Sequence, residues 1–93
     1  MSVIFIRVHG QVQGVGYRYF VAKTAKRLGV TGWVKNNDDG SVEIVADSDD
    51  TTLEKFVKGI NIDYSNGPSV MKIDILGKEQ VPTKGGFPGF TVR

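Results

Sequence analysis

The segment from Gly10 to Arg18 carries the most distinctive chemistry of this chain. It reads Gly-Gln-Val-Gln-Gly-Val-Gly-Tyr-Arg, with three glycines within seven positions and an arginine at its end. Glycine adopts positive φ at low cost, so successive N–H groups can converge on one point. A helix that begins just beyond adds free N–H groups and a partial positive charge, and arginine adds a planar fork of donors. The segment therefore predicts a binding site for an anion, most simply a phosphate.

Asn36 lies in a second segment that suits the same pocket. Residues 32–40 read Gly-Trp-Val-Lys-Asn-Asn-Asp-Asp-Gly, and Asn36 stands where a predicted strand runs into a turn. An asparagine can accept a hydrogen bond from a water and donate another to a phosphoryl oxygen. The same residue could simply start the turn, for which Asn37 is equally suitable. Both interpretations of Asn36 are open at this point.

The residue types that the chain lacks reduce the number of reactions that it could catalyse. It has no cysteine, its only histidine is His9, and no acid precedes Asp38. Thiol nucleophiles, disulfides and Cys- or His-rich metal sites are thereby excluded. When an acyl phosphate is hydrolysed at phosphorus, the acyl group leaves as a carboxylate, a weak base that needs no protonation by a general acid. For such a substrate, binding the phosphoryl group and aiming one water could be sufficient, and a pocket with an arginine, backbone amides and one asparagine suits that reaction. Carboxylates could still hold a hard cation.

Hydrophobic periodicity and turn residues predict the elements that must position these groups. Five strands are predicted at Val3–His9, Val30–Asn36, Ser41–Ala46, Val70–Leu76 and Phe90–Arg93, and two helices at Tyr17–Leu28 and from Asp50 or Thr51 onward. Thr51 and Glu54 have the spacing of a capping box. Met71, Ile73 and Ile75 are expected to share one face of their strand, and Gly77–Gly89 is expected to form an exposed loop.

This order, β-α-β-β-α-β with a short final strand, predicts an α+β fold of the ferredoxin-like, split βαβ type. Such a fold has a mostly antiparallel sheet with two helices on one face. The 93 residues are enough for one domain, which we expect to span residues 1–93.

Charge is distributed unevenly along the chain. Residues 1–37 contain six bases and no acid, whereas the remainder contains six bases and ten acids. A basic half favours an anionic partner, although Lys23, Lys26 and Arg27 also fit a solvated helix face. No stretch approaches the length of a membrane span, and no basic leader precedes an apolar run at the N-terminus. These features predict a cytoplasmic protein without a membrane partner.

Both segments resemble motifs of the acylphosphatase family. Gly10–Arg18 is similar to the family's glycine-x-Val-Gln-Gly-Val-x-aromatic-Arg motif, and Gly32–Gly40 with Val42 is similar to its second motif. The order of elements and the closing Phe90–Arg93 also match, so the resemblance covers nearly the whole chain. The family hydrolyses carboxyl–phosphate bonds without a metal or an organic cofactor.

The resemblance implies a role for each motif residue. Arg18 and the backbone amides of the loop would hold the phosphate, and Asn36 would orient the attacking water. The residues whose amides are implied are Gln13, Gly14, Val15, Gly16, Tyr17 and Arg18. The implied protein is a monomer that acts on a small acyl phosphate and binds no nucleic acid. Two positions depart from the family pattern. Gln11 replaces a common arginine, with a modest effect expected on loop polarity or affinity, and Ser48 replaces a common glycine, which bears on the turn into the second helix.

The main alternative is a non-catalytic ferredoxin-like module that binds an anion or a nucleic acid. Residues 16–21 faintly resemble the aromatic motif of RNA-binding modules, but that motif lies on a central strand, whereas here it opens a helix. The strand faces also supply few aromatic side chains, mainly Phe5 and Trp33. Joint loss of phosphate affinity and turnover in an Arg18 variant would favour the enzyme.

Overall fold

The computed structural model describes residues 1–81 and 86–93. The elements in chain order are β1 (Ser2–Gln11), α1 (Tyr17–Leu28), β2 (Thr31–Asn36), β3 (Val42–Ser48), α2 (Asp50–Ile60), β4 (Ser69–Gln80) and β5 (Phe90–Val92). Within these ranges, neither helix has the length and apolar composition that crossing a bilayer requires.

The five strands form one sheet in the order β4-β1-β3-β2-β5. Strands β4, β1, β3 and β2 pair antiparallel with their neighbours, and β5 runs parallel to β2 at the edge. This arrangement confirms the predicted ferredoxin-like fold with its mostly antiparallel sheet. Because β1 lies beside β3, the end of β1 is brought next to the hairpin that joins β2 and β3.

The core lies between the sheet and the two helices. Alternate residues of β1 (Ile4, Ile6 and Val8) are almost fully buried, as period-two alternation predicts. They belong to one cluster with the buried side chains of both helices, among them Val21 of α1 and Phe56 of α2. This contiguous packing fixes the start of α1, and thus the loop before it, relative to the sheet.

The ends of the two helices are set by residues next to them in the chain, which the sequence predicted for α1 but not for the cap of α2. Helix α1 spans the predicted residues, and Gly29 closes it in the left-handed conformation, with φ 75°. Helix α2 is capped by Asp49, whose carboxylate accepts a hydrogen bond from the Thr52 N–H at 2.8 Å. That bond lowers the pKa of Asp49. The predicted capping box of Thr51 and Glu54 is wrong, because Thr51 lies inside the helix and Asp49 already provides the cap.

Strand β4 is longer and less regular than predicted. It continues through residues 77–80, which were expected to be loop, while residues 82–85 of that loop lie outside the described residues. Its register with β1 shifts twice, leaving Met71 and Leu76 as extra residues of two bulges. Each extra residue breaks the alternation. Met71 is therefore 85% exposed and does not share the face of Ile73, which packs against the core.

Gly32 allows β2 to pass close to β3, and substitution there is expected to be costly. Its φ is +139°, and an added Cβ would overlap the carbonyl oxygen of Val45. We expect Gly32→Ala to lower the free energy of unfolding by about 3 kcal/mol, combining backbone strain with overpacking. Urea unfolding measures the loss. Gly89→Ala is the control, since a Cβ there meets nothing within 4 Å and its φ is not positive. Equal losses in the two variants would contradict this explanation.

Candidate active site

Two glycines shape the loop between β1 and α1. Gly14 and Gly16 are both in the left-handed region, with φ 74° and 79°. A Cβ at either position would meet nothing within 4 Å, so the requirement for glycine is conformational rather than steric. Gly16 is also the N-cap of α1 and offers no side-chain acceptor to the first helical turn. The N–H groups of that turn are thus left without a capping group.

The main-chain N–H groups of this loop, residues 13–18, are available as donors. None of them donates to an acceptor in the part of the chain that the structure describes. The helical hydrogen bonds begin only with the Phe20 N–H, which donates to the Gly16 carbonyl at 3.1 Å. Loop 13–18 borders a cavity of about 190 Å³, lined by Val12, Gly14, Gly16, Tyr17, Arg18 and Tyr19. Unpaired amides at a helix N-terminus are the usual setting for a bound anion.

Arg18 lies in the first turn of α1, at the cavity wall. Its Nη1 donates to the main-chain oxygen of Arg93, just after β5, at 2.6 Å. Arg93 is itself held by its N–H, which donates to the Val34 carbonyl at 2.8 Å. One bond to the sheet thus orients the guanidinium. Its other N–H donors are available to an anion in the cavity.

Asn36 is the last residue of β2 and is paired with Val42 of β3. Its Oδ1 is buried and accepts no hydrogen bond from any residue in the described ranges. Leaving a buried acceptor unpaired costs about 1–3 kcal/mol, so such an atom calls for an explanation. A carbonyl oxygen of this kind is suited to accept a hydrogen bond from a water or ligand.

The neighbouring Asn37 has a different role, in the turn of the hairpin. Its N–H donates to the Ser41 carbonyl at 2.8 Å, and its Nδ2 donates to the Ser41 Oγ at 3.1 Å. Asp39 completes the turn by accepting from the Ser41 hydroxyl at 2.6 Å and its N–H at 2.9 Å. These hydrogen bonds lower the pKa of Asp39. No cluster of His, Cys, Asp or Glu suited to a metal ion is found among the described residues.

Gln13 makes contacts that the sequence did not predict. Its Nε2 donates to the carbonyl of Asn37 at 2.7 Å and to the carbonyl of Ser41 at 2.9 Å. The sequence assigns only the backbone amide of Gln13 to the site. The side chain instead connects loop 13–18 to the β2–β3 hairpin. Sequence reasoning could not find this connection, because it depends on the hairpin lying beside the loop.

The side chains of Tyr17 and Val15 pack in or against the core and so anchor loop 13–18 to it. Tyr17 is fully buried, its hydroxyl donates to the Ile60 carbonyl at 2.8 Å, and burial raises its pKa. Val15 is partly buried and packs against the core. These two residues therefore face the site with their main chain only. Of the predicted site residues, Gly14, Gly16, Tyr17 and Arg18 line one cavity, whereas Asn36 is not among the residues that line it. The residue after Asn36 is bonded to the loop, because the Asn37 carbonyl accepts from the Gln13 side chain.

A larger groove of about 460 Å³ lies between α2 and β4, near the start of β1. Ile4, Leu53 and Ile75 contribute apolar surface to it. Its rim carries both signs of charge, and Lys78 is paired with Asp50 at 3.2 Å. An apolar floor with paired charges is poorly suited to phosphate. The smaller cavity is therefore the better candidate, because it combines unpaired amides with Arg18.

A comparison with models of known protein families shows to which family the chain belongs. The family model described as Acylphosphatase matches residues 4–92. The chain belongs to the acylphosphatase family. The predicted family is thus confirmed, and the match includes both motifs of the acylphosphatase resemblance.

Individual acylphosphatases match at nearly full length. The acylphosphatase of Thermotoga maritima is 41% identical over 93 residues, covering 100% of this chain and 98% of that protein. The acylphosphatase of Yersinia pseudotuberculosis is 42% identical over 95 residues, covering 100% of this chain and 99% of that protein. The acylphosphatase in the crystal structure from Bacillus subtilis is 36% identical in sequence to this chain. The two structures superpose with a TM-score of 0.85, covering 100% of this chain and 99% of that chain. The shared fold extends over the whole chain.

Proposed function

We propose that this protein hydrolyses the carboxyl–phosphate bond of acyl phosphates, releasing a carboxylate and inorganic phosphate. The observation that carries the proposal is the run of N–H groups in loop 13–18, next to Arg18, that have no acceptor among the described residues. Membership of the acylphosphatase family supports the same reaction. The substrate is a small molecule with a phosphoryl group bound to an acyl oxygen.

Phosphate binding is the first task of the site. The amides of residues 13–18 and the N-terminus of α1 donate hydrogen bonds to the phosphoryl oxygens. Arg18 adds charge-assisted bonds from a guanidinium already oriented by the oxygen of Arg93. These donors also stabilise the charge on the equatorial oxygens in the transition state.

Asn36 orients the attacking water. Its Oδ1 accepts a hydrogen bond from the water, and its Nδ2 donates to a phosphoryl oxygen, so the water is aligned with the phosphorus. The water oxygen bonds to phosphorus as the bond from phosphorus to the acyl oxygen breaks. The leaving carboxylate keeps the electron pair of that bond, and a phosphate oxygen takes the proton of the water.

No protein acid or base is required for these steps. The carboxylate is a weak base and leaves without protonation. His9 is engaged elsewhere, since its Nε2 lies 3.1 Å from the Asp74 carboxylate of β4. The protein on this proposal is a monomeric, cytoplasmic enzyme of one domain, independent of metal and cofactor and without a nucleic-acid or membrane partner.

The nucleic-acid alternative is not favoured by the aromatic side chains. The Trp33 ring is covered by Arg93, whose guanidinium carbon lies 4.7 Å from the ring centroid, and Lys35 lies 5.7 Å from it. Phe20 of the aromatic segment contacts Tyr17 and Tyr64, at 6.5 and 6.4 Å between centroids. The rings of Trp33 and Phe20 are thus already in contact with other side chains, which makes them poorer platforms for stacking a base.

Hydrolysis of benzoyl phosphate in excess chelator, with p-nitrophenyl phosphate in parallel, tests the proposal. We expect rapid loss of benzoyl phosphate and much slower release of p-nitrophenolate, because benzoate is the weaker base and therefore the better leaving group. Turnover that stops in chelator and returns with Mg²⁺ would contradict independence from metal. A folded protein that hydrolyses neither compound would instead be an anion-binding module.

A further inference from the structure

We infer that Gln13 is a positioning residue, whose side-chain amide sets the position of Asn36 relative to the bound phosphate. The inference rests on the proposed function, in which loop 13–18 binds phosphate and Asn36 orients the water. The two groups lie on different segments of the chain. Their relative position must be maintained for the water to meet the phosphorus in line.

Strand pairing reaches Asn36, which pairs with Val42 of β3, but it ends before loop 13–18. The register of β1 with β3 runs from the pair of Ser2 with Ser48 to the pair of Val8 with Val42. Loop 13–18 and the hairpin turn both lie beyond that last pair. Across residues 1–81 and 86–93, the only hydrogen bonds between residues 12–16 and residues 36–41 are the two from the side chain of Gln13.

Those two bonds reach both ends of the hairpin turn. The carbonyls that accept them belong to Asn37, directly after Asn36, and to Ser41, where the chain returns into β3. The same two residues are joined by the hydrogen bond from the Asn37 N–H to the Ser41 carbonyl. One amide nitrogen therefore joins loop 13–18 to the closed turn that directly follows Asn36.

The chemistry of the contact requires glutamine. Its amide nitrogen supplies two N–H donors, which matches two carbonyl acceptors. A glutamate has no donor when ionised and would face two carbonyl oxygens with a negative charge. An asparagine keeps both donors but is one methylene shorter. Because Gln13 is half-buried, its bonds are also partly shielded from water, which strengthens them.

Gln13→Met tests the inference, because methionine has a similar length and no donor. We expect kcat for benzoyl phosphate to fall roughly tenfold to a hundredfold, the size of effect that a displacement of about 1 Å can cause. The inhibition constant of inorganic phosphate should change by less than about twofold, since the loop amides and Arg18 remain. Gln80→Met, the same substitution at the exposed end of β4, is the control and should leave both values unchanged.

A double-mutant cycle separates positioning from a general structural role. In the Asn36→Ala background, Gln13→Met should lower kcat no further, because the group that it positions is already missing. Losses that multiply in the double variant would overturn the inference, as would a fall in phosphate affinity without a fall in kcat. Asn36→Ala with wild-type turnover would instead overturn the water-orienting role itself, and this inference with it.

Thermal unfolding of each variant controls for loss of structure. If Gln13→Met does not fold, Gln13→Asn is the second variant, since it keeps the loop polar and loses only the reach of the donors. Gln13→Asn should show the same fall in kcat with unchanged inhibition by phosphate. Wild-type kcat in a folded Gln13→Asn or Gln13→Met protein would overturn the inference.

Discussion

Replacing Arg18 by alanine is expected to abolish both phosphate binding and turnover. The guanidinium is the one cationic side chain that lines the cavity bordered by loop 13–18 in the described part of the chain. It interacts with the phosphoryl oxygens in the ground state and more strongly in the transition state, where charge spreads over them. Loss of one such contact commonly raises the barrier by about 3 kcal/mol, or about a hundredfold in rate. For Arg18 we expect that loss in kcat/KM as a minimum.

The measurement is kcat/KM for benzoyl phosphate together with inhibition by inorganic phosphate. Arg27→Ala is the matched control, because it removes the same charge from the exposed last turn of the same helix. Arg18→Ala also removes the hydrogen bond to Arg93, so urea unfolding must accompany the kinetics. A folded Arg18→Ala protein that phosphate still inhibits normally would contradict the proposed role of Arg18.

Asn36→Ala is expected to separate binding from catalysis. The loop amides and Arg18 remain in this variant, so inhibition by phosphate should persist although the Nδ2 donor of Asn36 is lost. The water loses the acceptor that orients it, so kcat should fall by about a hundredfold, equivalent to about 3 kcal/mol of barrier. This combination differs from Arg18→Ala, in which affinity and turnover are lost together.

The stability of Asn36→Ala provides a second, independent readout. The Oδ1 of Asn36 is buried and unpaired within the described residues, and such an atom destabilises the folded state. Its removal should leave the free energy of unfolding unchanged or raise it, while activity falls. Asn66→Ala, an exposed turn residue, is the control for both measurements. Near-normal activity in Asn36→Ala would exclude the water-orienting role.

Several features of this protein follow from residues close together in the chain. Gly16 and Gly29 mark both ends of α1, and each adopts the left-handed conformation there. The glycine loop and Arg18 are contiguous, so the anion site was predicted from one segment. At the start of α2, the capping-box spacing of Thr51 and Glu54 predicted the wrong cap, because Asp49 caps the helix.

Other features depend on strand pairing and could not be predicted from one segment. Strand β4 extends through residues 77–80, which the sequence predicts as loop. The extension forms because β1 pairs with β4 along the whole length of β4, and the bulges of β4 result from the register of that pairing. The choice between Asn36 and Asn37 was also open in the sequence. In the folded chain the Asn37 side chain bonds within the turn, whereas the Asn36 oxygen is left unpaired among the described residues.

The sequence by itself therefore determined the family and the order of elements, and it predicted the residues that are proposed to hold a phosphate. These depend on backbone preferences and motif spacing, which act over a few neighbouring positions. Only the tertiary structure decided that Gln13 connects the loop to the hairpin and that the Asn36 oxygen has no partner among residues 1–81 and 86–93. The physical reason is that these contacts join segments more than 20 residues apart, and the pairing of β1 with β3 sets their distance.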